Sequence, residues 1–199
     1  MRALVACEFS GVVRRALRAQ GVDAWSCDLL SAEDGDRCHL QQDVRQVLAC
    51  GWDLLIAHPP CTHLAVSGNR WRKAKQASCV DEALDFVRLL MDAPVPHIAI
   101  ENPVSIIGSR IRKSDQTFHP WQFWAGERGT GEVKRTCLWL KNLPRLVPTT
   151  PDEPGRIARV WKMPPGPDRW KARSRTYPGI AEAMAVQWVA HIRAMREAT

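Results

Sequence analysis

The sequence lacks any long apolar run. Nothing approaches the roughly 20 consecutive apolar residues that a membrane span requires, so no membrane partner is expected. It also lacks any pair of cysteines at the C-x-x-C spacing. Its seven cysteines (Cys7, Cys27, Cys38, Cys50, Cys61, Cys79 and Cys137) are odd in number, which argues against a disulfide framework and for reduced thiols in a cytosolic protein. The G-x-G-x-x-G fingerprint is missing, which disfavours a dinucleotide site with its pyrophosphate. Internal repeats and low-complexity tracts are missing as well. The opening residues, MRALVACEFSG, have too short an apolar stretch and too early an acid to be a secretory signal. They read as a first strand, and a cytoplasmic location is expected.

What is present describes one compact domain spanning residues 1–199, long enough to bury a proper core. Hydrophobic residues make up 45% and charged residues 25%, the balance of a soluble globular protein. The net charge is +7 and the isoelectric point about 9.3. Such a charge serves solubility, and it equally suits a polyanionic partner such as DNA, RNA or a nucleotide.

Short apolar runs alternate with helical patterns. Residues 2–7 (RALVAC), 24–28 (AWSCD), 53–58 (DLLIAH) and 97–101 (HIAIE) read as strands. Residues 12–20 and 44–50 read as helices, as does the segment where Val80, Leu84, Val87 and Met91 recur at helical spacing. This alternation predicts an α/β fold, a mostly parallel sheet with helices on both faces. The continuous apolar strands fit a sheet covered on both sides. Residues 136–140 (TCLWL) add a strand, and Ile180, Met184, Trp188 and Ile192 mark a closing amphipathic helix. Residues 141–173 are Pro-rich and without clear periodicity, and read as a short irregular insert.

In open α/β sheets, ligands bind beyond the carboxyl ends of the strands. Here those ends carry Glu8-Phe9-Ser10-Gly11, then Asp28, then Pro59-Pro60-Cys61, then Glu101-Asn102-Pro103. The turn Phe9-Ser10-Gly11 allows a ligand to approach the first helix N-terminus. Asp28 is placed to accept hydrogen bonds from ribose hydroxyls. Asp43 is either an acceptor for an adenine amino group or the cap of the following helix. Two prolines stiffen the backbone before Cys61 and fix where its thiol points, as a nucleophilic thiol requires. The rival for Cys61 is a metal site drawing on His58, His63, Cys38 and His39. Their spacing matches no recognised zinc pattern, and no metal is expected.

Taken in order, Phe9-Ser10-Gly11, Pro59-Pro60-Cys61, Glu101-Asn102-Pro103 and Lys134-Arg135-Thr136 resemble the cofactor, nucleophile, ENV/ENP and arginine motifs of the cytosine-C5 methyltransferases. Residues 177–185 (YPGIAEAMA) resemble that family's last motif, and the sequence as a whole is similar to small phage and prophage DNA cytosine methyltransferases. The resemblance implies a single Rossmann-like, S-adenosylmethionine-dependent methyltransferase domain. It implies that Cys61 adds to cytosine C6, that Glu101 holds the ring at N3 and the amino group, and that Arg135 contacts the O2 side. It also implies that Phe9, Ser10, Gly11, Asp28, Asp43 and Pro59 line the S-adenosylmethionine site.

The chain departs from the family at His58, where glycine is common, at Thr62, where glutamine is usual, and at Ser174, where asparagine is usual. Residues 141–173 are too few to build a separate base-reading module with its own core. The substrate is therefore either DNA read with little sequence preference, its base flipped out, or a free cytidine nucleotide gripped by basic residues. Trp161 and Trp170 are available for stacking, or serve as loop anchors. Two other functions stay open. An amino-directed DNA methyltransferase would use an Asn/Asp/Ser-Pro-Pro-aromatic loop, which His58-Pro59-Pro60-Cys61 matches only in its prolines. A non-catalytic nucleic-acid-binding module would need the basic charge alone.

Overall fold

A computed structural model describes residues 1–66, 77–123, 131–150, 157–158, 162–164, 166 and 169–198. Trp161, considered above for stacking, lies outside the described residues. A seven-stranded sheet organises the chain: β1 (Arg2–Ala6), β2 (Asp23–Asp28), β3 (His39–Gln41), β4 (Leu54–Ala57), β5 (His97–Pro103), β6 (Gln116–Phe118) and β7 (Thr136–Lys141). The order across the sheet is β3-β2-β1-β4-β5-β7-β6. Strands β3, β2, β1, β4 and β5 are mutually parallel. β7 runs antiparallel between β5 and β6.

The helices are α1 (Val12–Ala19), α2 (Ala77–Met91), α3 (Ile107–Arg110), α4 (Arg169–Ser174) and α5 (Pro178–Glu197). Alternation along each strand sends side chains to opposite faces, and both faces are apolar. Ala3 and Val5 of β1 and Leu54 and Ile56 of β4 pack with Val13 and Leu17 of α1 and with Ile180, Met184, Trp188 and Ile192 of α5. Leu4, Ala6, Leu55 and Ala57 face the other way, toward Leu84, Val87 and Leu90 of α2. Each such fully buried aliphatic side chain contributes about 1.5–3 kcal/mol. Trp188 is fully buried, and its indole N–H donates to the Pro144 carbonyl at 2.9 Å, so the polar edge of the ring is not stranded in the core. Among the described residues no helix is long and apolar enough to cross a membrane.

The sheet reverses its winding direction between β1 and β4, because the chain steps from β1 outward to β3 and then returns to the far side of β1. That switch point opens a crevice at the carboxyl ends of the two strands. The backbone is strained there: Cys7, immediately after β1, has φ +58, a left-handed conformation costing about 1–3 kcal/mol for a residue with a side chain. Cys27 and Cys137 are buried, as a core-filling thiol should be, whereas Cys7 is only half-buried.

A buried ion cluster braces one wall of the crevice. Arg14 of α1 is fully buried. Its guanidinium donates to Ser26 Oγ at 2.7 Å and to Asp34 at 2.5 Å, and lies 3.3 Å from Asp36. Arg15 also pairs with Asp34. Ser26 stands within hydrogen-bond reach of His39 Nδ1 at 2.8 Å, and His39 Nε2 meets the Leu30 carbonyl at 2.8 Å. With Nε2–H donating to Leu30, Nδ1 accepts from the serine hydroxyl, so a chain of hydrogen bonds runs from α1 to the β2–β3 loop, while the buried Arg14 Nε–H has no partner among the described residues.

Asp34 senses this cluster. Its partial burial favours the neutral acid, but the hydrogen bonds from Arg14, the Asp36 N–H and Arg15 outweigh burial and lower its pKa from 3.8 to about 2. A carboxyl whose folded value is depressed stabilises the fold fully above its ordinary value and loses that contribution as pH falls through the folded one. Replacing Asp34 by Asn is expected to lower the melting temperature at neutral pH. The deficit should shrink as both proteins are melted at pH values between 3.8 and about 2. A deficit unchanged over that range would mean that the charge of Asp34 is not what the cluster uses.

Candidate active site

Glu8, just after β1, is buried and bends back over the start of α1. Its Oε1 accepts the Val13 N–H at 2.6 Å and its Oε2 accepts the Arg14 N–H at 3.2 Å. The Ser10 hydroxyl lies 3.5 Å from the same carboxylate. Free amides at a helix N-terminus attract anions, and here the chain supplies its own. Burial raises the Glu8 pKa, while the charge of His58 and the two backbone donors oppose that rise.

Gly11 takes φ +67 at the helix cap. A Cβ there would stand 2.6 Å from Asp34 Oδ2 and 2.7 Å from an Arg14 guanidinium nitrogen. The absence of a side chain at Gly11 therefore makes room for the ion cluster as well as for the turn. Phe9 is buried and packs against the half-exposed Trp170 of α4, with ring centroids 5.8 Å apart and planes tilted by 50°. α4 thus lies over the tip of β1.

Asp28 ends β2 and is partly buried, its Oδ1 accepting the Leu30 N–H at 3.0 Å. Burial raises its pKa against that hydrogen bond. Asp43 caps the single 3₁₀ turn Val44–Gln46: its Oδ1 accepts the Arg45 N–H at 2.9 Å. The expected helix over residues 44–50 is this shorter turn. The two carboxylates occupy one locale. Burial first, and then the charges of Asp28 and Asp43, raise the pKa of Cys27, to about 11, and that of Cys7.

On the other side of the crevice, the loop after β4 and the end of β5 are zipped together. The β4–β5 register pairs Ala57 with Ile100, so the next residues, His58 and Glu101, lie side by side. His58 Nδ1 is 3.0 Å from Glu101 Oε2, and the two side chains are only 9% and 15% exposed. The buried Asn102 donates from Nδ2 to the Pro59 carbonyl at 2.8 Å, which seats the double-proline loop against β5. Beyond Cys61 the chain turns tightly, with the Leu64 and Ala65 N–H groups both donating to the Cys61 carbonyl at 3.0 and 2.9 Å. Val66 and Ile106 then close the loop onto the segment after β5 through the Val104 and Leu64 carbonyls.

Cys61 emerges from this frame at an exposed position. Partial desolvation raises its thiol pKa, Lys134 and Arg173 lower it, and Glu101 raises it. The net direction is upward, so the resting sulfur carries its proton. Glu101 has the opposite balance. Burial would raise its pKa, but the His58 hydrogen bond and the positive charge of Lys134 prevail and lower it. The resting acid is a carboxylate.

The sequence-predicted residues thus fall into two groups around the switch point. Phe9, Ser10, Gly11, Asp28 and Asp43 gather around the ends of β1 to β3. Cys61, Pro59 and Glu101 gather around the ends of β4 and β5. Arg135 is exposed just ahead of β7, and Lys134 is the cation whose charge reaches both Cys61 and Glu101. Strand parity explains this. Glu101 pairs with Leu138, and Lys134, Thr136 and Leu138 share parity along the chain. Lys134, His58, Asn102 and Arg173 are the residues that sequence reasoning did not assign to the site. The β4–β5 register could have found His58, and the β5–β7 pairing Lys134, once those strands were known to be neighbours. His58 and His39, which had been weighed as metal ligands, are engaged by Glu101 and by Ser26 and Leu30 respectively.

A candidate DNA modification methyltransferase encoded within a prophage of E. coli has a similar structure, with a TM-score of 0.51 and 13% sequence identity, over 83% of this chain and 55% of its own. The two share a fold, a mostly parallel sheet covered by helices on both faces. An rRNA methylase from Escherichia coli matches with a TM-score of 0.37 and 17% identity, over 70% of this chain and 55% of its own. The chain spans about half the length (55%) of these solved structures. No protein-family model and no curated protein matches the sequence.

Proposed function

We propose that this chain is a methyltransferase acting on C5 of cytosine, in DNA or in a free cytidine nucleotide, with Cys61 as covalent nucleophile and S-adenosylmethionine as methyl donor. The observation that carries the reading is the joining of two loops. The double-proline loop bearing Cys61 and the strand tip bearing Glu101 are bonded to each other at His58, Pro59, Leu64 and Val66. The charge of Glu101 also reaches the thiol. A thiol and a carboxyl held on one rim suit a planar ring attacked at one edge and gripped at another.

The other half of the crevice suits a nucleoside-type cofactor. Asp28 and Asp43 are acceptors for hydroxyl and amino groups, and Phe9, packed on Trp170, offers an apolar ring at the end of β1. Glu8 already occupies the first amides of α1, which fits a cofactor without phosphate. S-adenosylmethionine bound there supplies an electrophilic methyl group on a sulfonium.

The chain's own residues do the rest. The exposed Cys61 thiol gives its proton to solvent water, and the thiolate sulfur bonds to ring C6, the displaced C5–C6 electron pair turning C5 from a poor nucleophile into a reactive one. Glu101 grips N3 and the exocyclic amine, and disperses the charge that develops on the ring. When water later takes the C5 proton, the C5–H electron pair re-forms the C5–C6 double bond and the sulfur leaves as a thiolate. Lys134, Arg135 and Arg173 form the positive rim on which a substrate phosphate can rest.

The test is a methyl-transfer assay with labelled S-adenosylmethionine and three acceptors: DNA, dCMP and dCTP. The expected product is 5-methylcytosine, with DNA transfer falling steeply as salt rises if DNA is the acceptor. An N-methylated base, or no transfer to any of the three, would overturn the reading.

A further inference from the structure

We infer that Trp170 is a positioning residue: seated on Phe9, it straps α4 across the crevice so that the other end of the helix holds Lys134 and Arg173 beside the Cys61 thiol. The inference rests on the cytosine reading above only in giving that thiol a nucleophile's work. α4 stands apart from the rest of the fold. It has six residues and none of them is buried, so no core contact explains where it sits, and a helix this short is not stable by itself. What holds it is a set of contacts with the two rims of the crevice.

The β1–β3 rim supplies two of them. The Trp170 ring lies 5.8 Å from that of the buried Phe9, centroid to centroid. Just past the helix, the Arg175 guanidinium meets the Glu33 carboxylate at 2.8 Å, and the Glu33 N–H donates to the Phe9 carbonyl at 2.9 Å. Both contacts therefore converge on the tip of β1. The ion pair is partly exposed and screened, which leaves the aromatic contact as the stronger tether. Of the two uses open to Trp170, stacking on a base and anchoring, the contact with Phe9 favours anchoring. The opposite rim supplies the third contact. Lys134, ahead of β7, donates from Nζ to the Arg173 carbonyl at 3.1 Å. That carbonyl lies in the last turn of α4, where carbonyls lack partners within the helix.

What the strap controls is charge. Glu101 of β5 raises the pKa of Cys61, whereas Lys134 ahead of β7 and Arg173 of α4 lower it. A lysine on its flexible four-carbon stem keeps its ammonium at one point only where something holds it, and here the backbone of α4 does so. Arg173 belongs to the helix itself. Releasing Trp170 from Phe9 therefore loosens both cations together. It leaves Glu101, fixed by His58 at 3.0 Å, as the charge still facing the sulfur.

The pH profile of Cys61 alkylation in the chain alone, followed at that residue by mass spectrometry, tests the strap. The midpoint of the profile reports how readily the thiol ionises, and the plateau at high pH reports access to it. Trp170→Ala should move the midpoint upward and slow alkylation below it about two- to threefold, with the plateau and the melting temperature near wild type. Trp170→Phe keeps a ring against Phe9 and should bring the midpoint back. In a chain already carrying Lys134→Ala and Arg173→Ala, neither cation is left to position, and Trp170→Ala should leave the midpoint in place. Glu33→Ala releases the second tether and should also move the midpoint upward, although loss of a negative charge by itself moves it downward. An unchanged midpoint in Trp170→Ala, the same shift in the doubly substituted background, or a downward move in Glu33→Ala overturns the inference. Ionisation is read here without methyl donor or acceptor, so absence of methyl transfer by the wild-type chain would overturn the cytosine reading alone.

Discussion

Replacing Cys61 by alanine is expected to abolish methyl transfer while leaving the binding of S-adenosylmethionine intact. The size of the loss follows from the role. C5 of cytosine is barely nucleophilic until C6 has been attacked, so removing the attacking sulfur should cost about 10⁴-fold or more in rate. The fold should hardly notice. Cys61 is exposed, and the loop that presents it is fixed by backbone and Asn102 contacts that do not involve the sulfur. An exposed substitution away from such contacts changes stability by about 0.5 kcal/mol or less. Cofactor affinity, read by calorimetric titration, depends on the β1–β3 side of the crevice and should persist. Cys50 is also exposed but lies at the opposite end of the sheet, where its carbonyl accepts from Arg2 at the start of β1, and Cys50→Ala is the natural control, expected to leave transfer unchanged. Substantial transfer by Cys61→Ala would exclude a covalent route and favour direct methylation of an amine.

The parts of this arrangement that were legible in the sequence are those set by local patterning. Continuous apolar runs marked β1, β2, β4, β5 and β7 to within two residues, since a sheet covered on both faces needs apolar side chains at every position. The same logic gave α1, α2 and α5 through their buried faces. β3 and β6 escaped because each has three residues at an edge, and their pairing is decided by neighbours rather than by their own composition. α4 escaped because none of its residues is buried, so no periodic apolar signal exists to read. The site divides in the same way. Cys61 and Glu101 stood at strand ends, and strand ends are visible. The roles of His58, Asn102 and Lys134 depend on which strands are neighbours and on parity across an antiparallel pair, neither of which is encoded within a short window. Gly11 was legible as a turn, but the Arg14–Asp34 cluster filling the space beside it joins residues 20 positions apart in sequence, and no local pattern announces it.

Glu101→Gln should move two observables in opposite directions. Methyl transfer is expected to fall by about 10²–10³-fold, because glutamine keeps the shape and can still accept from His58 but cannot take and pass on a proton, and it carries no charge to balance the developing one. Alkylation of Cys61, followed site by site by mass spectrometry, is expected to become faster. The negative charge of Glu101 raises the thiol pKa, so removing that charge increases the thiolate fraction at a given pH. Lys134→Ala supplies the converse: its positive charge lowers the Cys61 pKa, and its loss should slow alkylation about three- to tenfold. Local unfolding of the loop would instead speed alkylation in both variants, so the two signs together separate electrostatics from damage. If Glu101→Gln turned over at the wild-type rate, the acid would have no part in the chemistry. If it slowed alkylation of Cys61, the thiol and the carboxylate would not share one rim of the crevice, and the proposed grip on a single pyrimidine would be lost with it.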